Sequence, residues 1–519
     1  MMRLSNRVAG MRTALFVISA FLPAALCGQS AGTRPAASNP IQASRPADSD
    51  VKIRQLERQI QAQRNEIARI EEALTKEDRL RQNLASTHDK AAEGDPADGV
   101  AASPPQSSPP HASRAPSLAA KKQDPGSAGS ELPAISLNIG HATLTPFGFV
   151  DATAFFRTRN LGSGIGAAFG SLPFSNSDQG RLSEVRFSAQ NSRFGLQYDS
   201  EFDRNRVRGY METDFLGVQP GNAFVTSNSD SLRLRLYWVD LTRGRFEFLA
   251  GQSWSLLTPS RNGISPEPSQ LFYTQDMDTN YQVGLTWARQ LQFRFVYHAT
   301  PHVAAALSLE NPEQYAGSAL TFPAGFDANQ VSTGSNTTTP NAFPDVIGKL
   351  AFDGDPGGHH VHAEITGLFS SFKTYNAASD RTFAAEGGGG SIGANYELFK
   401  NFRLFATSYL SDGGGRYLDG LAPDLVLRPN GRASLIRSEA GIGGFEFQAT
   451  PDNMLYGYYG EIFIGRNYSV IEAPQGGVPA YVGYGFPGAS PSANRAIQEA
   501  TFGVIRTFWK SPQYGALQL

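Results

Sequence analysis

Between Arg181 and Gln252 polar and apolar residues alternate with a period near two, as in strands whose two faces meet unlike surroundings. Over Arg206 to Phe215 one parity is Arg206, Arg208, Tyr210, Glu212 and Asp214, and the other is Val207, Gly209, Met211, Thr213 and Phe215. In Ser231 to Val239, Leu232, Leu234, Leu236 and Trp238 oppose Arg233, Arg235 and Tyr237. One face is apolar and aromatic, and the other carries full charges. A soluble sandwich shows the same alternation with its apolar face inside, so connections and strand lengths decide which way the faces point.

The alternation predicts strands at 143-158, 182-199, 205-216, 231-241, 245-252, 279-288, 291-299, 343-352, 359-372, 388-398, 402-412, 436-449, 454-466 and 495-509, with another beginning at Tyr514. Short connections (200-204, 242-244, 289-290, 353-358, 399-401, 450-453 and 511-513) alternate with long ones (159-181, 217-230, 253-278, 300-342, 373-387, 413-435 and 467-494). Short turns on one side and long loops on the other are the layout of a transmembrane barrel. Several strands, 359-372 among them, exceed the roughly five or six residues usual in soluble sheets and are long enough to cross a bilayer at a tilt. The fold class expected is all-β, a transmembrane antiparallel β-barrel over 134-519, its apolar face on lipid and its charged face on a lumen. Bacterial barrels have an even number of strands, so a chain that stops just into its fifteenth predicts a sixteen-stranded type truncated at the C-terminus.

The N-terminus reads differently. Arg3, Arg7 and Arg12 lead into the apolar run TALFVISAFLPAAL, which predicts a signal peptide over 1-27. Leu26 is too bulky before Cys27 for lipid attachment. Ile53, Ile60, Ile67 and Leu74 are spaced by seven, with Leu56, Gln63, Ile70, Glu77 and Leu84 at the second core position, which predicts a coiled-coil helix over 51-86. Ile at one core position and mixed Leu and Ile at the other favour three strands over two. Residues 87-133 are rich in Ala, Pro, Ser and Gly and read as a disordered linker.

Composition narrows the function classes. A formal net charge of -2 argues against a nucleic-acid binder, and Cys27 is the one cysteine, so no internal disulfide is expected. No long apolar run follows the N-terminus, which excludes helical spans but not barrel strands. Among candidate lumen residues are Glu184, Arg186, Arg206, Arg208, Glu212, Asp214, Arg233, Arg235 and Arg294. An arginine-rich wall concentrates anions and binds carboxylate or phosphate through several hydrogen bonds; the alternative is that these arginines pair with neighbouring carboxylates and hydrate a channel. The phase slips near Asn191 to Arg193, which suggests a bulge there. Loop 253-278, with its X-Pro pairs and aromatic ends, fits an infolded constriction loop to which Arg261 contributes. Loop 300-342 reads as external. His359, His360 and His362 read as a solvated cluster without a further metal ligand. Gly387-Gly390 and Gly413-Gly415 lead into no phosphate-loop helix. No nucleophile-elbow, zinc-protease or dinucleotide fingerprint is present, so neither an enzyme, a cofactor nor a metal site is expected.

The stretches LTPFGFVDATAFF (144-156), RFSAQNSRFGLQY (186-198), RGYMETDFLG (208-217), LRLRLYWVDL (232-241) and FLAGQSW (248-254) together resemble the DcaP-like family of Gram-negative outer-membrane porins. The resemblance implies a sixteen-stranded homotrimeric channel, coils associated in the periplasm, passing small anionic solutes such as dicarboxylates through a barrel set in outer-membrane lipid and lipopolysaccharide. By strand position it maps pore arginines onto Arg186, Arg206, Arg208, Arg233 and Arg235. The long linker and the missing C-terminal hairpin depart from the family's pattern. The rival reading is a structural barrel whose coil and linker tether the envelope to peptidoglycan with little transport.

Overall fold

The computed structural model describes residues 136–519 apart from 162–163, 167–171, 218–230, 272–281, 318–319, 335–338, 340, 419–420, 472–479, 490–493 and 512–514, together with Gln61. The chain divides into two units, Met1–Ser117 and Leu118–Leu519. Gln61 is helical and exposed; the predicted signal peptide, linker and the rest of the coiled coil lie outside the described residues. Among those residues no helix is long and apolar enough to cross a membrane, which says nothing of strands.

The second unit is built on one antiparallel sheet of sixteen strands. The chain begins with β1 (Leu137–Ile139) and β2 (Ala142–Phe149), leaves the sheet for a hairpin of β3 (Thr153–Arg157) and β4 (Glu184–Ser188), and returns as β5 (Arg193–Phe202). There follow β6 (Asn205–Asp214), β7 (Arg233–Arg243), β8 (Phe246–Trp254), β9 (Arg289–Thr300), β10 (Val303–Glu310), β11 (Asp345–Gly354), β12 (Val361–Asn376), β13 (Arg381–Phe399) and β14 (Phe402–Asp412). A small hairpin of β15 (Leu425–Leu427) and β16 (Ala433–Leu435) precedes β17 (Arg437–Thr450) and β18 (Asn453–Ile464). Another, β19 (Asn467–Ile471) and β20 (Ala480–Tyr484), precedes β21 (Ala496–Ser511) and β22 (Gly515–Gln518). Wall strands pair in chain order, each with the next. Strands β1 and β22 end the ladder and are not paired with each other among the described residues.

Tight turns join one end of the ladder. Asp203 and Arg204, both with positive φ (46° and 65°), link β5 to β6, the geometry whose twist matches that of the flanking strands. Longer segments leave from the other end, with departures from expectation. The predicted loop 373-387 is strand: β12 and β13, 16 and 19 residues long, continue as a hairpin closed by residues 377–380. The predicted strand 279-288 is likewise absent, since its described part belongs to the segment between β8 and β9. In its place stands β10, which lay inside the predicted loop 300-342.

Faces follow the pleat. Ile392 is 61% exposed and sits opposite Ile365 on β12, 56% exposed, while Asn395 and Glu364 on the other face are buried. Leu232, Leu234, Phe293, Leu350, Phe502 and Val504 share the exposed apolar side. Strand β7 changes phase part-way. Glu212 pairs with Leu236 and Thr213 with Leu234, so Arg235 is an extra residue, a β-bulge. Beyond it, the side chains swap faces: Trp238 and Leu236 are buried inside and Tyr237 is exposed, the reverse of the expected alternation.

Candidate functional site

Residues 255–271 and 282–288, the described parts of the connection between β8 and β9, lie against the enclosed face of the sheet, led inward by the end of β8 and the start of β9. Gly251 allows this turn. Its φ is 131°, and a Cβ there would lie 2.4 Å from the Tyr237 carbonyl oxygen and 2.6 Å from the Trp238 Cα, so no side chain fits. Past it Trp254 packs with Leu236, Trp238, Leu249 and Leu271, and its ring lies 3.8 Å from that of Trp287. Tyr210 stacks on Trp238 at 5.2 Å and on Phe147 at 5.0 Å.

Charged groups seat the segment against the walls it reaches. On β11 and β12, Lys349 Nζ donates to the Thr258 carbonyl (2.8 Å) and to Glu364 (3.1 Å), and Glu364 also accepts from the Ser260 amide. Both Asp353 oxygens accept from the Gly263 amide. Asn395 on β13 donates to the Arg261 carbonyl. Arg261 itself makes a two-pronged pair with Glu446 on β17, at 2.8 and 2.7 Å, and Tyr458 donates to the same carboxylate. Further along, Glu499 on β21 accepts from the Val283 amide, and a Cβ on Gly460 would lie 1.8 Å from the Val283 carbonyl oxygen, so backbone rests on the β18 wall. Arg208 on β6 pairs with Glu267 of the segment. The segment therefore touches β6, β11, β12, β13, β17, β18 and β21.

Most sequence-selected arginines are matched by carboxylates. Arg208 donates to Asp199 at 2.7 Å, and Arg206 lies 3.6 Å from the same group. Arg233 makes two bonds to Asp214, and Arg235 donates to Glu212 (2.7 Å) and Asp214 (2.8 Å). Arg294 is fully buried and donates to Gln292 and to the Trp254 carbonyl. Glu184 and Arg186 are paired with each other at 2.7 Å on the β3–β4 hairpin, outside the sixteen-stranded wall, with Arg157 as a further partner of Glu184. Arg261 is buried as a tether, its guanidinium turned to Glu446.

The predicted solvated histidine cluster is corrected at His362. That ring is buried, its Nδ1 2.8 Å from Asp353 and its Nε2 3.2 Å from Glu364, the two carboxylates that hold the infolded segment. Sequence reasoning also missed Lys349, Glu364 and Glu446, each a charge on an inward parity whose partner lies far along the chain, and Arg289, which stood in a predicted turn. Among the described residues no group of His, Cys, Asp and Glu side chains could hold a metal ion.

No family model and no curated protein matches the chain. Among solved structures it is similar to the outer membrane channel DcaP of Acinetobacter baumannii, with a TM-score of 0.51 and 20% identity over 72% of this chain and 89% of that one. Weaker similarities are to OmpT, an outer membrane protein of Vibrio cholerae (TM-score 0.37, 12% identity, 72% and 85% covered), and to an anion-selective porin from Comamonas acidovorans (0.32, 11%, 70% and 98%). The similarity to the first, with the sixteen-stranded antiparallel ladder, gives this chain the fold of an outer-membrane β-barrel.

Proposed function

We propose that the chain forms a water-filled channel in the outer membrane of a Gram-negative bacterium, through which small solutes diffuse passively and anions are favoured. The observation that carries this reading is the contrast of faces: apolar side chains such as Leu234 and Ile392 point outward, while a charged segment spans the enclosed side. An outward apolar belt suits hydrocarbon, and an interior of charges suits water. The infolded segment narrows the passage and brings the Glu267 carboxylate to Arg208 of β6, so that charges of both signs line it. Fold similarity to a channel supports the reading, as does the absence of a catalytic fingerprint in the sequence.

The finer proposal is a homotrimer passing small carboxylates, dicarboxylates among them, with the N-terminal coils joined in the periplasm and reaching towards peptidoglycan. The paired state of Arg206, Arg208, Arg233 and Arg235 favours a moderate selectivity over a strong one. The full-length protein reconstituted in planar bilayers is expected to conduct in steps of three, with a reversal potential displaced towards that of chloride in a KCl gradient. Absence of any conductance, with the protein folded and inserted, rejects the channel. Removal of 51-133 separates transport from tethering: the channel reading expects unchanged conductance per barrel.

A further inference from the structure

Four guanidinium groups and two carboxylates meet where β5, β6, β7 and the inturned ends of β8 and β9 come together. Both carboxylates are buried and already engaged. Arg235 donates to Glu212 and to Asp214, Arg233 to Asp214, and Arg193 stands 3.6 Å from Glu212. The fourth cation is Arg289, opposite Trp254 in the ladder. Its guanidinium carbon lies 5.6 Å from the centre of the Trp254 ring system, and that of Arg235 lies 5.8 Å from the same ring. Among the described residues the Arg289 guanidinium has no hydrogen bond or ion pair; it lies on this indole and in the longer-range field of Asp214 and Glu212. Among the described residues, four cations less two anions leave two surplus positive charges on one patch of the enclosed face.

Arginine does not shed its proton in proteins, and an unpaired guanidinium partly withdrawn from water is poorly solvated. Such a group recruits an oxyanion, for which its fixed fork of donors is suited. The indole holds Arg289 in place without neutralising it. We propose that Arg289, with Arg233 beside it, holds the carboxylate or phosphate group of a solute in transit, so that Arg289 sets the anion preference. This rests on the channel reading and deepens it: the uncompensated cation, absent from the arginines chosen by strand alternation, is the selective one.

The test compares full-length wild type, R289Q, R289K and R233Q in planar bilayers under a KCl gradient, then adds acetate or inorganic phosphate as probe. R289Q is expected to lower the anion-to-cation permeability ratio about fivefold, the effect of one unit charge about 4 Å away in a water-like medium. R289K keeps the charge and most of the ratio. R233Q changes it less, because Arg235 still covers Asp214. Block of the wild-type chloride current by acetate assigns a carboxylate site and block by phosphate a phosphate site, and R289Q loses either. A conducting R289Q with wild-type ratio and wild-type block overturns the site, as does wild type that neither probe blocks. A wild-type protein that does not conduct at all overturns the channel reading and the site with it.

Discussion

Glu446 serves two groups at once, closing both prongs of the Arg261 fork and accepting from Tyr458. Removing one member of a buried ion pair leaves a stranded charge and costs about 3–5 kcal/mol, more than most exposed pairs contribute. Glu446→Gln is therefore expected to free the segment around Arg261, read as faster hydrogen exchange at the Gly263 amide while the strands keep their protection. Exchange unchanged at Gly263 would mean that Lys349 and Asp353 suffice to hold it. These pairs also explain how far single residues were legible. Inward parity was readable for Arg208, Glu212, Asp214 and Arg233, because charge alternated with apolar residues. The partner of Arg261, 185 positions on, was not, since nothing local marks a contact made only after the sheet curls. Trp238 misled for another reason: one extra residue at Arg235 reversed the phase, and a bulge leaves no compositional trace.

At the level of elements, contrast between faces decides what a sequence displays. Strand β10 (VAAALSLE) has Ala304 and Ala306 inward and Ala305 outward, so its two faces look alike and its sequence reads as loop. The segment around Val283 to Trp287 alternates well yet belongs to no wall strand; it turns at Val283 and Gly284 and makes a single bridge, Thr286 to Leu418. That bridge touches the segment between β14 and β17, which has its own buried knot. Arg416 is held between Asp345 and Asp424, Tyr417 donates to Asp345, and the Asp424 carboxylate also accepts from the backbone amides of Tyr315 and Arg416. Burial pushes the Asp424 carboxyl up to about 6, against the opposing pull of Arg416. A folded-state value above the unfolded one means that the stabilisation is complete at low pH and is lost as pH rises through about 6. Hydrogen exchange of residues 421–436, corrected for intrinsic rates, is expected to be slower at pH 5 than at pH 8. Equal protection at both would show that Asp424 ionises normally.

For the whole barrel unit, the decisive quantity is what surrounds it. A charge placed on a lipid-facing position costs about 2–4 kcal/mol at the membrane midplane and little near its edges. Ile392→Arg, opposite Ile365 in the middle of the exposed belt, is expected to weaken folding into bilayers by about that amount, measured by denaturant titration of protein refolded in vesicles. A variant as stable as wild type would place that face in water. The fold class was legible because strand length, alternating connection length and face contrast agreed; the sixteen strands were harder to enumerate, since β1 has three residues and β10 lacks contrast.

The segment that crosses the enclosed face is held by Arg208, Lys349, Asp353, Glu446 and Glu499, groups on strands far apart around the sheet. Sliding it a little unseats a desolvated charge at one contact without improving another. Its aperture therefore has few resting widths, and in the proposed channel single-channel current is expected to jump between set levels and not to drift.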